Sequence, residues 1–329
     1  MSSKKTSVVI VGAGGFARAH VHCMVAMGKS VRIAGFVEPA EKSRAQMTKK
    51  LAELGVRKTP PFFSTIREFL AANKGPADCA VIVTPHNLHI THIIDCMRAG
   101  MDVLVEKPMV LDAAEARRAM RVRDQTGRLL SVAFPGSYSP AIRKAKELIA
   151  AGEIGEVMSI SAYVFQQWRA GTIGTWRQIP EISGGGFLFD TGSHAVNTVI
   201  DLAGSDVAFL SANQDNHGTP VEISSAISGR FKNGAFFTLC AEGNALNCQS
   251  RITVIGTKGV LITGNWGECL RQIKSGSNEE TPVEFGHSKS VFEQFLRVRE
   301  GKMPNPCPAE VGLRFAKFMD MVKASAAQK

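Results

Sequence analysis

Three residues of this chain carry the side chains that proton transfer to or from an alcohol requires. Asp190 and His194 lie four residues apart, so they share one face if this stretch is helical. A histidine with an unperturbed pKa of about 6.5 can take up a proton near neutral pH. We expect His194 to act as the base and Asp190 to orient it or to bind a neighbouring hydroxyl. Lys107 would supply a cation that shares the proton.

Oxidation of an alcohol also needs a hydride acceptor, and a glycine-rich segment near the start of the chain predicts its binding site. Residues 12–17 read Gly-Ala-Gly-Gly-Phe-Ala between a predicted strand and a predicted helix, the context in which G-x-G-x-x-A binds a dinucleotide. The first glycine permits the tight turn, the second lets the backbone approach a pyrophosphate, and the alanine lets helix and strand pack closely. The predicted cofactor contacts here are Gly12, Gly14, Gly15, Phe16 and Ala17.

Glu38 follows the second predicted strand at the spacing expected of the acid that binds the adenosine ribose. A carboxylate accepts hydrogen bonds from both ribose hydroxyls and repels a 2′-phosphate. We therefore predict NAD as the cofactor in preference to NADP. Lys42 and Arg44 lie nearby and would suit a 2′-phosphate if Glu38 turned away.

Two further motifs follow strands of the same predicted sheet. Thr84-Pro85-His86-Asn87-Leu88-His89 comes after a strand at 79–83, and Glu106-Lys107-Pro108 comes after a strand at 103–105. Open α/β sheets bind ligands at the carboxyl ends of their strands. The additional predicted cofactor contacts are Thr84, Pro85, His86, His89, Glu106 and Lys107.

Hydrophobic patterning divides the chain into two predicted domains, 1–135 and 136–329. In the first, continuous apolar strands alternate with helical segments, which predicts a Rossmann-type, doubly wound parallel sheet covered on both faces. In the second, long alternating segments predict an α+β domain with a large, mainly antiparallel open sheet. Hairpins are predicted at Phe231–Ala235, where Asn-Gly suits a primed turn, and at 256–259.

Composition excludes several classes of protein. The 329 residues suggest two domains, and 44% hydrophobic with 21% charged residues is typical of a globular rather than a disordered chain. The net charge of +10 favours anionic ligands, but the basic runs are only pairs and aromatic residues make up 7%, so no nucleic acid is expected. No apolar run reaches the length of a membrane helix and no signal-peptide core is recognised, so we expect a cytoplasmic protein with no membrane partner.

The cysteines and histidines do not form a metal-binding pattern. The seven cysteines are scattered, odd in number and without Cys-x-x-Cys, which indicates reduced thiols rather than disulfides or a zinc site. His86, His89 and His92 recur at steps of three, and on a helix each step rotates by about 60°, so these side chains do not converge. We expect no metal.

The glycine-rich turn, Glu-Lys-Pro at 106–108 and Gly-Gly-Gly…Asp-x-Gly-x-His at 184–194 together resemble the Gfo/Idh/MocA family of glucose–fructose oxidoreductases and inositol dehydrogenases. The resemblance covers nearly the whole chain and implies an NAD(P)-dependent dehydrogenase or reductase acting on CH–OH groups of sugars, sugar derivatives or cyclitols. It implies Lys107, Asp190 and His194 as the catalytic group, Glu106 on the nicotinamide ribose side, and a homodimer or homotetramer. Because Lys107 belongs to one predicted domain and the other two residues to the next, we expect them to line the cleft between domains.

Aromatic and arginine side chains suggest how a sugar would be bound. Trp176-Arg177 is similar in spacing to a Trp-Arg pair of related reductases that lies beside nicotinamide and substrate, and Trp168-Arg169 resembles it. Aromatic faces suit sugar C–H groups and arginine suits hydroxyls or carboxylates, although each tryptophan would equally suit a sheet edge. The predicted substrate contacts are Lys107, Tyr138, Trp168, Trp176, Arg177, Asp190 and His194, with Trp176 and Arg177 also on the cofactor.

Two other functions are compatible with these motifs. One is an NAD-dependent glycosidase that oxidises its substrate transiently and then eliminates, which would turn over without net NADH. The other is a non-catalytic dinucleotide-binding regulator, which would bind NAD without activity. Residues 134–138, Phe-Pro-Gly-Ser-Tyr, differ from the Asn/Arg-rich substrate segment of many relatives, so the specific substrate stays open.

Overall fold

The computed structural model describes residues 5–328, and these form two compact units. The first contains residues 5–110, Ala114–Ala133 and Ser290–Glu310. The second contains Leu111–Ala113, Phe134–Lys289 and residues 311–328. The chain passes from the first unit to the second at Ala133–Phe134, next to the predicted boundary, but the second unit is not the contiguous segment 136–329.

The strands are β1 (Thr6–Val11), β2 (Val31–Val37), β3 (Phe62–Phe63), β4 (Cys79–Ile82), β5 (Asp102–Val105), β6 (Leu130–Val132), β7 (Val157–Gln167), β8 (Val207–Asp215), β9 (Ser224–Phe231), β10 (Phe236–Glu242), β11 (Asn244–Gly256), β12 (Gly259–Thr263), β13 (Leu270–Lys274) and β14 (Thr281–Pro282). The helices are α1 (Gly15–Ala26), α2 (Glu41–Glu53), α3 (Ile66–Ala72), α4 (His89–Arg98), α5 (Ala113–Thr126), α6 (Pro135–Tyr138), α7 (Pro140–Ala150), α8 (Trp168–Thr172), α9 (Pro180–Ser183), α10 (Phe187–Asp190), α11 (Ser193–Ala203), α12 (Val291–Arg299) and α13 (Ala309–Ala326). Short 3₁₀ turns lie at His86–Leu88 and Trp176–Gln178.

The first unit contains a parallel sheet in the order β3-β2-β1-β4-β5-β6. Val8 of β1 lies opposite Ile33 of β2 on one side and Cys79 of β4 on the other. The predicted Rossmann-type fold is thus confirmed, and the β-branched runs that predicted its strands are the buried centre of the sheet. The strand order reverses between β1 and β4, which is where such sheets bind ligands.

Helix α12 was predicted as part of the second domain but packs on the first. Phe292, Phe295 and Leu296 are buried in the core formed by β1, α1 and α2. The burial of three large apolar side chains explains why the chain returns to this unit after residue 289.

The second unit contains an eight-stranded sheet in the order β14-β13-β12-β11-β7-β10-β9-β8, whose described neighbours are antiparallel except for the parallel pair β7 and β10. Burial alternates along β9 and β10, so this sheet has one covered and one open face, as predicted. The hairpin at Phe231–Ala235 is confirmed: β9 pairs with β10, and Gly234 has a φ of 93°. Among the helices of residues 5–328, none is long and apolar enough to cross a membrane.

Candidate active site

In the glycine-rich turn between β1 and α1, Gly12 and Gly14 are explained by different constraints. Gly12 has a φ of 97°, and a β-carbon there would lie 2.6 Å from the carbonyl oxygen of Val83, so only glycine fits. Gly14 has an extended backbone, and a β-carbon there would meet nothing within 4 Å. The protein itself therefore does not require glycine at position 14, whereas a ligand lying against this backbone would.

Helix α1 begins directly after this turn and presents an uncompensated N-terminus. No side chain caps the helix at Gly14, and its first turn contains no acidic residue. Backbone N–H groups at such an end attract anions. The turn, the open space at Gly14 and the helix end together fit the pyrophosphate of a dinucleotide.

Glu38, after β2, reaches the same turn. Its Oε2 accepts a hydrogen bond from the backbone N–H of Ala13 at 2.8 Å, and its Oε1 accepts one from Ala40 at 2.9 Å. Arg44 donates to the backbone carbonyl of Glu38 and, at 3.0 Å, to the hydroxyl of Ser64. The carboxylate thus lies beside the glycine turn, and Arg44, one of the two candidates for binding a 2′-phosphate, is engaged with protein groups.

The two motifs after β4 and β5 are joined by a buried histidine. His89 is 0% exposed, and its ring nitrogens lie 2.9 Å from the carbonyl oxygens of Thr84 and Pro108. Burial lowers the pKa of His89 below its usual value, and burial also lowers the pKa of His92 to about 4. Because both nitrogens of His89 face carbonyls, this residue ties the loop before α4 to the loop that carries Lys107.

Glu106 and Lys107 follow β5 directly. Glu106 is 8% exposed, and its Oε1 lies 2.7 Å from Nε2 of His20 on α1. Its Oε2 accepts a hydrogen bond from the backbone N–H of Lys107 at 3.2 Å. Lys107 is partly exposed at the strand end. His20 was not identified from the sequence, since its partner lies 86 residues away.

Asp190 ends α10 and is held by two donors in the second unit. Its carboxylate Oδ2 accepts hydrogen bonds from Nε1 of Trp168 at 2.9 Å and from Nε of Arg177 at 3.0 Å. Asp190 is 6% exposed and Trp168 is 4% exposed. The guanidinium of Arg177 also lies over the ring of Trp176, 4.6 Å from its centre. Sequence reasoning placed these residues together and did not predict the direct bond from Trp168.

His194 lies in the first turn of α11, whereas Asp190 ends α10, so the two residues lie on separate helices and not on one face of a single helix as predicted. Its ring is flanked by two aromatic rings in edge-to-face geometry, Phe134 at 6.1 Å and Trp266 at 5.6 Å between centres. Trp266 was not singled out from the sequence, because it follows β12 in a loop with no motif. Tyr138 on α6 is 1% exposed, so its ring belongs to the core of this unit.

Glu222, just before β9, contacts the three-glycine segment that precedes Asp190. Its Oε2 accepts a hydrogen bond from Gly186 N–H at 2.6 Å, and its Oε1 accepts one from Phe189 N–H at 3.3 Å. Burial raises the pKa of the Glu222 carboxyl above its usual value. Nothing in the local sequence around Glu222 indicates these contacts.

Comparison with protein families matches both units. Residues 6–134 match the model described as an oxidoreductase family with an NAD-binding Rossmann fold. Residues 142–262 match the model of the GFO/IDH/MocA C-terminal domain.

Two curated relatives illustrate the similarity in sequence. Oxidoreductase P35 of Formosa agariphila is 26% identical over 73% of this chain and 76% of its own length. D-xylose 1-dehydrogenase [NADP(+)] of Haloarcula marismortui is 28% identical over 68% of this chain. The match spans 62% of that relative, less than two thirds of its length.

A solved structure illustrates the similarity in fold. The WlbA dehydrogenase from Bordetella pertussis, in complex with NADH and UDP-GlcNAcA, superposes with a TM-score of 0.82. The superposition covers 98% of this chain and 97% of that one, at 20% identity.

Proposed function

Because the chain belongs to the Gfo/Idh/MocA family of NAD-binding oxidoreductases, we propose that it transfers a hydride between a nicotinamide dinucleotide and a secondary alcohol or ketone. The substrate class is a sugar, a sugar derivative or a cyclitol. The observation that carries the proposal is the position of the Asp190 carboxylate. Trp168 and Arg177 hold it by hydrogen bonds, and Asp190 lies four residues before His194. The xylose dehydrogenase relative and the WlbA neighbour with its bound UDP-sugar support a carbohydrate substrate.

The cofactor would be held by the glycine turn, the N-terminus of α1 and Glu38. A bound nicotinamide dinucleotide supplies the hydride acceptor or donor. We assign NAD as the preferred form, because the Glu38 carboxylate at the turn disfavours a 2′-phosphate and Arg44 is already engaged. The structurally similar WlbA dehydrogenase binds NADH, which supports the assignment of NAD. The xylose dehydrogenase relative is named for NADP, so the cofactor preference of this chain has to be measured.

In the proposed reaction His194 takes the alcohol proton and Lys107 shares it. Asp190 forms an ion pair with Arg177. Its carboxylate would stabilise a protonated His194 or accept a hydrogen bond from a substrate hydroxyl. Trp168 acts by positioning Asp190, since its ring is buried, while Trp176 and the partly exposed Arg177 contact substrate.

The loops after β4 and β5 complete the cofactor side of the proposal. Thr84, Pro85 and His86 precede α4, whose first residue, His89, anchors both loops. Glu106, oriented by His20, would contact the ribose next to the nicotinamide. Lys107 then extends from a loop whose backbone is fixed on both sides.

The open face of the second sheet supports assembly into a homodimer or homotetramer. Tyr163, Phe209 and Phe236 are exposed on its strands at 38%, 58% and 56%. Large apolar side chains on an open sheet face favour cover by another chain. The seven free cysteines, including exposed Cys240 and Cys248, support a reducing compartment such as the cytoplasm.

The experiment that tests the proposal is a cofactor-reduction screen. The purified chain is mixed with NAD⁺ or NADP⁺ and with sugars, sugar acids and inositols, and NADH or NADPH formation is followed by absorbance. The proposal expects substrate-dependent reduction with at least one of these compounds. Cofactor binding without any reduction across the panel would contradict it, and turnover without net NADH would favour the glycosidase reaction.

A further inference from the structure

Glu222 binds the segment that ends at Asp190 through three hydrogen bonds. Its two carboxylate oxygens accept from Gly186 N–H and Phe189 N–H, and its backbone carbonyl accepts from Phe187 N–H at 2.9 Å. We infer that Glu222 is a positioning residue for Asp190, which sets where the Asp190 carboxylate lies. This inference rests on the role given to Asp190 in the proposed function.

Helix α10 depends on an outside partner because it is only four residues long. The first four N–H groups of any helix lack a partner within the helix, and in α10 these groups are most of the element. The carboxylate and carbonyl of Glu222 satisfy the N–H groups of Gly186, Phe187 and Phe189. The single turn that carries Asp190 is thus held by a residue 36 positions away from Gly186.

The glycines before α10 let Glu222 approach this closely. A β-carbon at Gly186 would overlap the carbonyl of Glu222, and one at Gly185 would lie 3.3 Å from its Oε1. A β-carbon at Gly185 would also lie 2.6 Å from the β-carbon of Phe189. Small residues are therefore required here by the contact with Glu222 and by the packing of α10.

A displacement of α10 would move Asp190, because Asp190 is the last residue of this helix. The bonds from Trp168 and Arg177 meet on one oxygen of Asp190, at 2.9 and 3.0 Å. Hydrogen bonds weaken steeply outside a narrow range of distance and angle. A small shift of the turn would loosen both bonds.

The variant Glu222→Gln tests this relationship with little change in shape. The two N–H donors use different carboxylate oxygens. Glutamine offers one oxygen and one NH₂ group, so one backbone N–H would face another donor. Glu68→Gln is the matched control, because Glu68 also accepts a backbone N–H, from Ser64 at 2.8 Å, but at α3 of the first unit.

The decisive readout is a double-mutant cycle with Asp190→Asn, using the best substrate found in the cofactor-reduction screen. Glu222→Gln should lower kcat by up to about 10²-fold, the size expected of a misplacement of about 1 Å. The dissociation constant for NADH should stay unchanged. In the Asp190→Asn background the same substitution should have almost no further effect. Equal effects in both backgrounds would mean that Glu222 acts independently of Asp190, which overturns the inference.

A spectroscopic readout needs no substrate. The indole N–H of Trp168 donates to Asp190, so its resonance in a proton–nitrogen correlation spectrum reports the position of that carboxylate. The resonance should move in Glu222→Gln and stay in place in Glu68→Gln. An unmoved Trp168 resonance in Glu222→Gln would overturn the inference.

The two measurements separate this inference from the proposed function. If Asp190→Asn keeps full activity while Glu222→Gln moves the Trp168 resonance, the role of Asp190 in the reaction fails and the positioning contact stands. If Glu222→Gln does not fold, both measurements are made on Glu222→Asp. That variant keeps the charge but withdraws the carboxylate by one methylene, and the same outcomes apply.

Discussion

The indole N–H of Trp168 donates a hydrogen bond to Oδ2 of Asp190 at 2.9 Å, and both side chains are buried. Arg177 donates to the same oxygen at 3.0 Å. A carboxylate with two donors on one oxygen is fixed in orientation. The proposed reaction depends on that orientation, because the Asp190 carboxylate is assigned to stabilise His194 or to bind a substrate hydroxyl.

Replacing Trp168 by Phe should lower kcat by about tenfold or more. The substitution keeps most of the buried ring and removes the N–H, and a hydrogen bond to a charged group contributes about 1.5–3 kcal/mol. Steady-state kinetics on the substrate from the screen would measure this. Trp176→Ala should instead raise KM, since the partly exposed Trp176 is assigned to substrate binding. The assignment of the two tryptophans would be reversed if Trp168→Phe changed only KM.

The two glycines of the dinucleotide turn should respond differently to alanine. Gly14→Ala should fold normally, because the backbone there is extended and the added β-carbon meets no protein atom within 4 Å. It should nevertheless weaken NADH binding, measured by fluorescence titration. Gly12→Ala should lose stability as well, by roughly 1–3 kcal/mol for the strained backbone alone. Unchanged NADH affinity in a folded Gly14→Ala variant would argue against this turn as the pyrophosphate site.

Replacing Glu38 by Gln should shift cofactor preference towards NADP. Removal of the negative charge should raise NADPH affinity about tenfold or more, since like charges placed together cost several kcal/mol. NADH affinity should fall, because a ribose hydrogen-bond acceptor is lost. Titrations of both cofactors would test this, with the exposed Glu41→Gln in the first turn of α2 as control. Tighter binding of NADPH than NADH by the unaltered protein would contradict the assignment of NAD.

Acid should destabilise the first unit through the partly buried His92. Burial lowers the pKa of His92 to about 4, so this side chain stays neutral in the folded unit above that pH. The unfolded chain takes up the same proton near pH 6.5, so stability is lost as pH falls from about 6.5 towards 4. For His92 the loss is at most about 3 kcal/mol.

Urea unfolding at a series of pH values would measure this loss. His92→Gln should reduce the loss, while the exposed His287→Gln should leave it unchanged. A pH dependence identical in His92→Gln and the unaltered protein would show that His92 is not the source.

The elements that the sequence predicted well are those with a long, regular pattern. The apolar runs of β1 and β2 and the alternation of β9 and β10 leave one arrangement that buries their side chains. Helices α8, α9 and α10 have only four or five residues, too few for a helical period to show. The pattern of α12 predicts a helix with an apolar face, but it does not say which core that face covers.

The candidate site likewise contains residues that the sequence indicated and residues that it did not. Asp190, His194 and Lys107 belong to local motifs, so their types and spacing singled them out as candidates. The residues that hold them in place were missed, because Glu222 and His20 act across 36 and 86 residues of chain. Such pairs depend on the fold that brings them together, and a single sequence contains no local sign of that contact.

The proton transfer assigned to His194 is the central claim of this account, and the kcat of His194→Asn tests it most directly. The measurement uses a substrate confirmed by the screen and is made over about pH 6–9, because loss of a general base changes the pH dependence of kcat. The account predicts that kcat falls by about 10²–10⁴-fold, the usual contribution of a general base, while NADH binds as before. Near-normal turnover across that range would contradict the assignment and leave Lys107 as the proton carrier.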